Sequence, residues 1–160
     1  MFPPLIQTIR RALSLSLPGS VAQMKMAPSV RNAGKRTFNY PPRKSAVMIL
    51  LYYKEDVLYS AYFKRPVYDG PHSGQIAFPG GKSEPSDKSL LETALRETEE
   101  EFGILHEKIM VLGSLTPLFI PISNLEVTPF VGYMESLPVF KPNVKEVEYI
   151  IEIPLLELFK

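Results

Sequence analysis

Apolar positions along the chain follow two different periods, and the changes between them mark out the elements. Near the start Leu5, Ile9, Leu13 and Leu17 recur every fourth residue, the spacing of one helical face, and Pro18-Gly19 is expected to end that helix. Residues 27–44 have no period and several breakers, and read as an extended connector. β-Branched and aromatic residues dominate next. Segments 46–53 and 57–63 flank the polar Lys54-Glu55-Asp56 and predict a hairpin. Further strands are expected over 76–78, 109–116, 127–134 and 147–153. Residues 154–160 read as the start of a helix, which leaves a C-terminal continuation open. One strong helix among many strands makes the body an α+β or α/β sandwich.

That helix is carried by residues 86–102. Ser86-Asp87 signals its start, Ser89 and Glu92 have the spacing of a capping box, and Gly103 stands where a C-terminal stop belongs. Turning about 100° per residue sets Leu91, Ala94, Leu95, Thr98 and Phe102 on one stripe toward the core. The same wheel places Glu97, Glu100 and Glu101 together on a flank of that stripe, with Glu99 on the other flank beside Glu92. Like charges one turn apart cost roughly 0.2–0.5 kcal/mol per pair, and repulsion grows at the edge of a buried face, where water is scarcer. A solvated acidic face is the ordinary explanation of such a run. The flank position, the single neighbouring Arg96 and the Gly80-Gly81 turn upstream favour a different one. A hard divalent cation takes carboxylate and carbonyl oxygens, and would turn the repulsion into a binding site. Arg96 can pair with Glu100 one turn on, or reach back to Asp87.

Composition narrows the classes. A length of 160 residues suits one domain with one core, and 45% hydrophobic with 22% charged residues is ordinary for a soluble globular chain. No apolar run reaches the ~18 residues of a membrane span. The absence of cysteine excludes disulfides, thiolate zinc sites and a cysteine nucleophile, and fits a cytoplasmic setting. The net charge of +1 hides an asymmetry. Residues 1–54 hold nine basic and no acidic side chains, leaving nine basic against seventeen acidic, a net −8, in the rest. Such a start is expected to dock on its own body, to contact an anionic ligand or to act as a targeting segment. The boundary expected from this pattern separates a basic leader, 1–44, from a body over 45–160.

Gly81, Asp87, Arg96-Glu97, Glu100-Glu101, Gly103 and Ile104 together resemble the Nudix box, G-x5-E-x7-R-E-U-x-E-E-x-G-U with U aliphatic. Three positions depart from it: Asp87 replaces the first Glu, eight residues instead of seven separate it from Arg96, and Thr98 replaces an aliphatic residue. The insertion falls at the entry to the helix, where extra length is tolerated. Upstream, Lys64-Arg65, Pro71-His72, Ser73-Gly74-Gln75-Ile76 and Phe78-Pro79-Gly80-Gly81 are similar to the segment that precedes the box in Nudix enzymes hydrolysing coenzyme A, a subfamily that tolerates the longer gap. The LPGSVAQMKMAPSVR stretch is similar to leaders of bacterial members, which weakens the targeting reading.

The resemblance implies a Nudix α/β/α sandwich with a Mg²⁺- or Mn²⁺-dependent pyrophosphohydrolase activity. It implies Glu97 and Glu101 as the main metal ligands, Glu100 completing the set, a backbone carbonyl of Gly80 or Gly81 adding an oxygen, and Arg96 holding the ligands together with Asp87. The general base stays open among Glu97, Glu101 and a carboxylate in a later loop. Coenzyme A carries a 3′-phosphate, for which Arg65 and Lys64 are the candidates, with Arg43 and Lys82 behind them. His72 and Gln75 are candidates for positioning phosphates or the nucleotide ring. The 116–124 segment, TPLFIPISN, either walls the cleft or forms an interface. A coenzyme A-like small molecule is the expected partner, with no nucleic acid and no membrane span, and a homodimer left open. Another nucleoside diphosphate derivative, such as ADP-ribose or a dinucleoside pyrophosphate, and a catalytically silent ligand-binding Nudix module are the alternatives.

Overall fold

A computed structural model describes residues 2–25, 38–70 and 72–160. Residues 27–37 of the expected connector lie outside them. The elements in chain order are α1 (Pro4–Leu13), α2 (Gly19–Lys25), β1 (Arg43–Lys54), β2 (Val57–Lys64), β3 (Ile76–Ala77), β4 (Gly80–Lys82), α3 (Leu90–Phe102), β5 (Met110–Ser114), β6 (Leu118–Ile120), β7 (Leu125–Met134) and β8 (Tyr149–Pro154). A short 3₁₀ turn follows α3, and another, Leu155–Phe159, follows β8 in place of the expected start of a helix.

β1 organises the sheet. One edge runs parallel to β7 over its length, from Arg43 opposite Leu125 to Tyr52 opposite Met134. The other edge is divided: Leu51–Lys54 pair with β2, while Ser45–Val47 pair with β4. β8 extends β2, and β5 and β6 pair with β7, so the sheet is mixed. The hairpin joining β1 and β2 closes on Glu55 and Asp56, both at positive φ (49° and 63°), the two-residue turn whose twist matches the strands.

Alternation along β1 sends side chains to two helical layers. Ala46, Met48, Leu50 and Tyr52 face α3 with Phe63, Phe102 and Met134. Leu51 turns the other way and joins Leu58, Leu112, Val131 and Tyr133 beneath α1. The α/β/α sandwich is the expected class. α1 stops at Leu13, four residues short of Leu17, and Gly19 opens α2 instead of following a helix end. Ile6 is the fully buried residue of α1. Ile6→Ala is therefore expected to destabilise the fold by about 2–4 kcal/mol, the loss of a buried branched side chain plus its cavity. Urea unfolding measures it, and a loss below about 1 kcal/mol would show that α1 is not part of the core.

Candidate active site

α3 begins as its sequence signals. The Ser89 hydroxyl accepts from the Glu92 amide, although the Glu92 carboxylate reaches back to the Lys88 amide and not to that of Ser89. Gly103, at φ 68°, ends the helix with its N–H donating to the Glu99 carbonyl. The buried face is turned from the expected stripe. Thr93, Ala94, Thr98, Glu101 and Phe102 are buried, whereas Leu91 and Leu95 are only partly covered. This rotation carries Glu101 from the flank onto the core side, with 1% of it exposed.

Opposite this face runs the Gly80-Gly81 strand. The Gly80 N–H donates to Glu101 Oε2 at 2.8 Å, tying helix to sheet through a carboxylate. A Cβ on Gly81 would lie 2.3 Å from Glu97 Oε1, so this glycine is what lets the Glu97 carboxylate lie against the backbone. Both glutamates line a cleft of about 860 Å³, and Glu146 faces them from the loop before β8. Burial pushes the Glu101 carboxyl up to about 8, against the Gly80 amide and Arg65, which pull it down; Glu97 and Glu146 add to the rise. Burial also raises Glu97, against Arg96.

Arg96 is the clamp of this arrangement. Its Nε and Nη2 donate to the two oxygens of Asp87 at 3.0 and 3.1 Å, and Nη1 donates to Glu97 at 3.0 Å and to Glu100 at 3.1 Å. The Asp87 carboxyl is held well below its ordinary value, chiefly by Arg96 and next by the Glu84 amide, and Arg96 is raised in turn by Asp87. Stability from Asp87 is thus present above about pH 4 and is lost as pH falls toward the depressed folded value. Asp87→Asn is expected to destabilise the protein by about 1–3 kcal/mol at neutral pH, as a charge-assisted pair is broken. The difference from the parent should shrink below pH 4. Thermal unfolding across pH checks both the size and the trend.

A divalent cation fits these residues in part. Among the described residues no three His, Cys, Asp or Glu side chains converge closely enough to cage an ion. The buried Glu101 and the largely covered Glu97 beside a glycine backbone nevertheless match what Mg²⁺ takes from a protein, since it keeps waters and completes its shell with substrate phosphate oxygens.

The sequence profile of the NUDIX domain matches residues 42–151. The chain belongs to the Nudix family. Within it, the chain is 48% identical over 88 residues to the Uncharacterized Nudix hydrolase NudL of Pectobacterium atrosepticum, covering 55% of this chain and 45% of that protein. The Yersinia enterocolitica protein of the same name is 49% identical over 89 residues, 56% of this chain and 45% of its own length. The chain thus spans about half the length of these curated relatives. The Nudix fold recurs in the Ap4A hydrolase binary complex of C. elegans, with a TM-score of 0.62 at 16% identity over 73% of this chain and 83% of that one. It recurs again in the NUDIX domain of Shewanella oneidensis NrtR complexed with ADP ribose, with a TM-score of 0.57 at 17% identity over 88% and 86%.

Of the residues singled out by the Nudix resemblance, Glu97, Glu101, Gly80, Gly81, Arg65, His72, Gln75, Lys82 and Arg43 border the cleft. His72 holds φ 66° and its Nδ1 pairs with Gln75 Oε1 at 3.0 Å. Asp87, Arg96 and Gly103 stand behind it, and Lys64 and Glu100 stand elsewhere. Lys64, the last residue of β2, does not border the cleft and pairs with Glu148 at 3.1 Å over the Tyr149 ring. Glu100 is half exposed and does not border the cleft, so of the expected three glutamates Glu97 and Glu101 line it. Ile120, Ile122 and Ser123 of the 116–124 segment wall the cleft.

Proposed function

We propose that the chain hydrolyses a pyrophosphate linkage with the help of Mg²⁺ or Mn²⁺, and that its substrate is coenzyme A or an acyl thioester of it, split into 3′,5′-ADP and 4′-phosphopantetheine or its acyl form. The observation that carries the hydrolase reading is the pair Glu97 and Glu101 set against two glycines, with Glu101 held by the Gly80 N–H and Glu97 clamped by Arg96. The substrate assignment is supported by the resemblance of residues 64–81 and by Arg43, Arg65 and Lys82 bordering the cleft.

Glu97 and Glu101 would hold the cation, with the Gly80 or Gly81 carbonyl adding an oxygen; when bound, the ion neutralises phosphate charge and lowers the pKa of a water. Glu100, through Arg96, would steady the ligands. Lys82, His72 and Gln75, which line the cleft, would orient anionic oxygens around the scissile linkage. Aromatic residues that the sequence did not single out, Phe38, Tyr40 and Tyr68, offer flat surfaces to a base.

Glu146, a carboxylate in a later loop, would serve as the general base. Its loop is stitched to the end of α3: the Lys141 N–H donates to the Phe102 carbonyl at 2.8 Å and the Asn143 N–H to the Glu101 carbonyl at 3.1 Å. Asn143 Nδ2 donates to Glu146 Oε1 at 3.1 Å. The carboxylate is therefore oriented and lies across the cleft from the ligand pair. Glu146→Gln is expected to lower kcat by about 10²-fold, the low end of what a positioned base supplies, while Mn²⁺ affinity stays within about threefold. A retained kcat would remove it as the base.

Incubating the protein with coenzyme A and Mg²⁺ should release 3′,5′-ADP, and dephospho-coenzyme A should be cleaved less efficiently. No product from coenzyme A, with ADP-ribose or a dinucleoside pyrophosphate cleaved well, would transfer the site to those substrates. No cleavage of any of them would leave a silent binding module.

A further inference from the structure

Two arginines reach the carboxylates of the cleft, and they are held in opposite ways. Arg96 makes four contacts of 3.0–3.1 Å to three carboxylates. Arg65 is only leaning. Its Nη2 lies 3.7 Å from Glu101 Oε1 and 3.5 Å from the Gly80 carbonyl oxygen, well beyond the ~2.7–2.9 Å of a charge-assisted bond.

The backbone of Arg65 is fixed, its N–H donating to the Gln75 carbonyl at 2.9 Å. The guanidinium lies 5.0 Å over the Phe63 ring, a contact that supports the group without directing its bonds. The side chain is 25% exposed and borders the cleft, so it has room on the substrate side. The two atoms it leans on are a carboxylate oxygen and a glycine carbonyl oxygen, the oxygen types that a hard cation takes. A guanidinium and a divalent ion repel each other if both crowd the same oxygens.

We propose that Arg65 is the resident cationic partner of Glu101, displaced by the entering cation and thereby released toward the phosphate of the substrate. The proposal rests on the metal-dependent reading above and adds that cation and anion binding are coupled through one side chain. Arg65 occupies the approach to Glu101 before the ion arrives, and afterwards offers its donors to the cleft. Its loose contacts are what make the exchange accessible, where the clamp on Arg96 would forbid it.

The test is Mn²⁺ binding without nucleotide, followed by electron paramagnetic resonance of the free ion, in the parent and in Arg65→Gln. Removing the competitor should tighten Mn²⁺ binding by about tenfold, within the usual range of site-to-site coupling. Equal or weaker binding in the variant would overturn the proposal. If neither protein shows saturable Mn²⁺ binding, the metal-dependent reading itself falls. A second measurement uses the unaltered chain and is independent of how the variant folds. Phenylglyoxal should modify Arg65 faster with saturating Mn²⁺ than without it, read by peptide mass spectrometry. A rate that is unchanged or slower would equally overturn the displacement.

Discussion

Glu101→Gln is expected to lower turnover by about 10⁴-fold and to leave the chain folded. The substitution keeps the shape, and the amide oxygen can still accept from Gly80 N–H, now 2.8 Å from Oε2. It removes the negative charge that a cation needs from a residue that is 1% exposed, where no water can substitute for it. Stabilisation of transition-state charge by a bound ion is worth several kcal/mol, and about 5 kcal/mol corresponds to roughly 10⁴ in rate. Folding should not suffer, because a buried carboxylate pushed up to about 8 is replaced by a neutral group. The rate of pyrophosphate hydrolysis, Mn²⁺ affinity and the thermal midpoint together decide it. A rate within tenfold of the parent would remove Glu101 from the ligand set.

The second large effect separates two adjacent glycines. Gly80 has φ +157°, and a Cβ there would lie 2.3 Å from the Ala46 carbonyl oxygen and 2.6 Å from Val47 Cα. Those atoms belong to the backbone of β1 and have nowhere to go. Gly80→Ala therefore combines strain with overpacking and should destabilise the fold by about 3–5 kcal/mol, a large share of the ~5–15 kcal/mol of an ordinary domain. At Gly81 the obstructing atoms are the far end of Glu97, 2.3 Å from Oε1, and a side chain can swing. Gly81→Ala should therefore cost only about 1 kcal/mol of stability but about 10²-fold in rate, because Glu97 is pushed off its position. Urea unfolding and steady-state rates on both variants separate the roles. Equal losses of stability would show that the pair acts as one structural unit.

Much of this layout is legible in the chain. The β1–β2 hairpin declares itself by two β-branched runs around a short polar turn, and α3 by a capping serine and a closing glycine. The chemistry of the box is readable because several residue types recur at fixed offsets.

Other parts are set by tertiary contacts. β4 is three residues, two of them glycine, and no propensity would make it a strand; only pairing with Ser45–Val47 does. β6 lies in a proline-bounded stretch and is recruited by β7. The rotation of α3 was hidden because Leu91 and Leu95 outrank Thr93 and Glu101 on any hydrophobic scale. Thr93 is nevertheless buried, with its hydroxyl donating to Asp87 at 2.9 Å, and Glu101 is satisfied by Gly80. Glu146 carries no local signal that distinguishes it from Glu148, three residues from Asn143 and five. Its place comes from hydrogen bonds to the end of α3, which only the folded chain reveals.

The hydrogen bond from Gly80 to Glu101 has a consequence for how such a protein can change over generations. The group that would bind the ion is held by β4, which pairs with the central strand β1, so a change at Gly80 is punished twice, once as lost chemistry and once as lost folding. The rim has no such double duty. Variation in recognition would be expected to accumulate among Phe38, Tyr40, Tyr68, Ile120 and Ile122, leaving the engine untouched while new cargoes are tried.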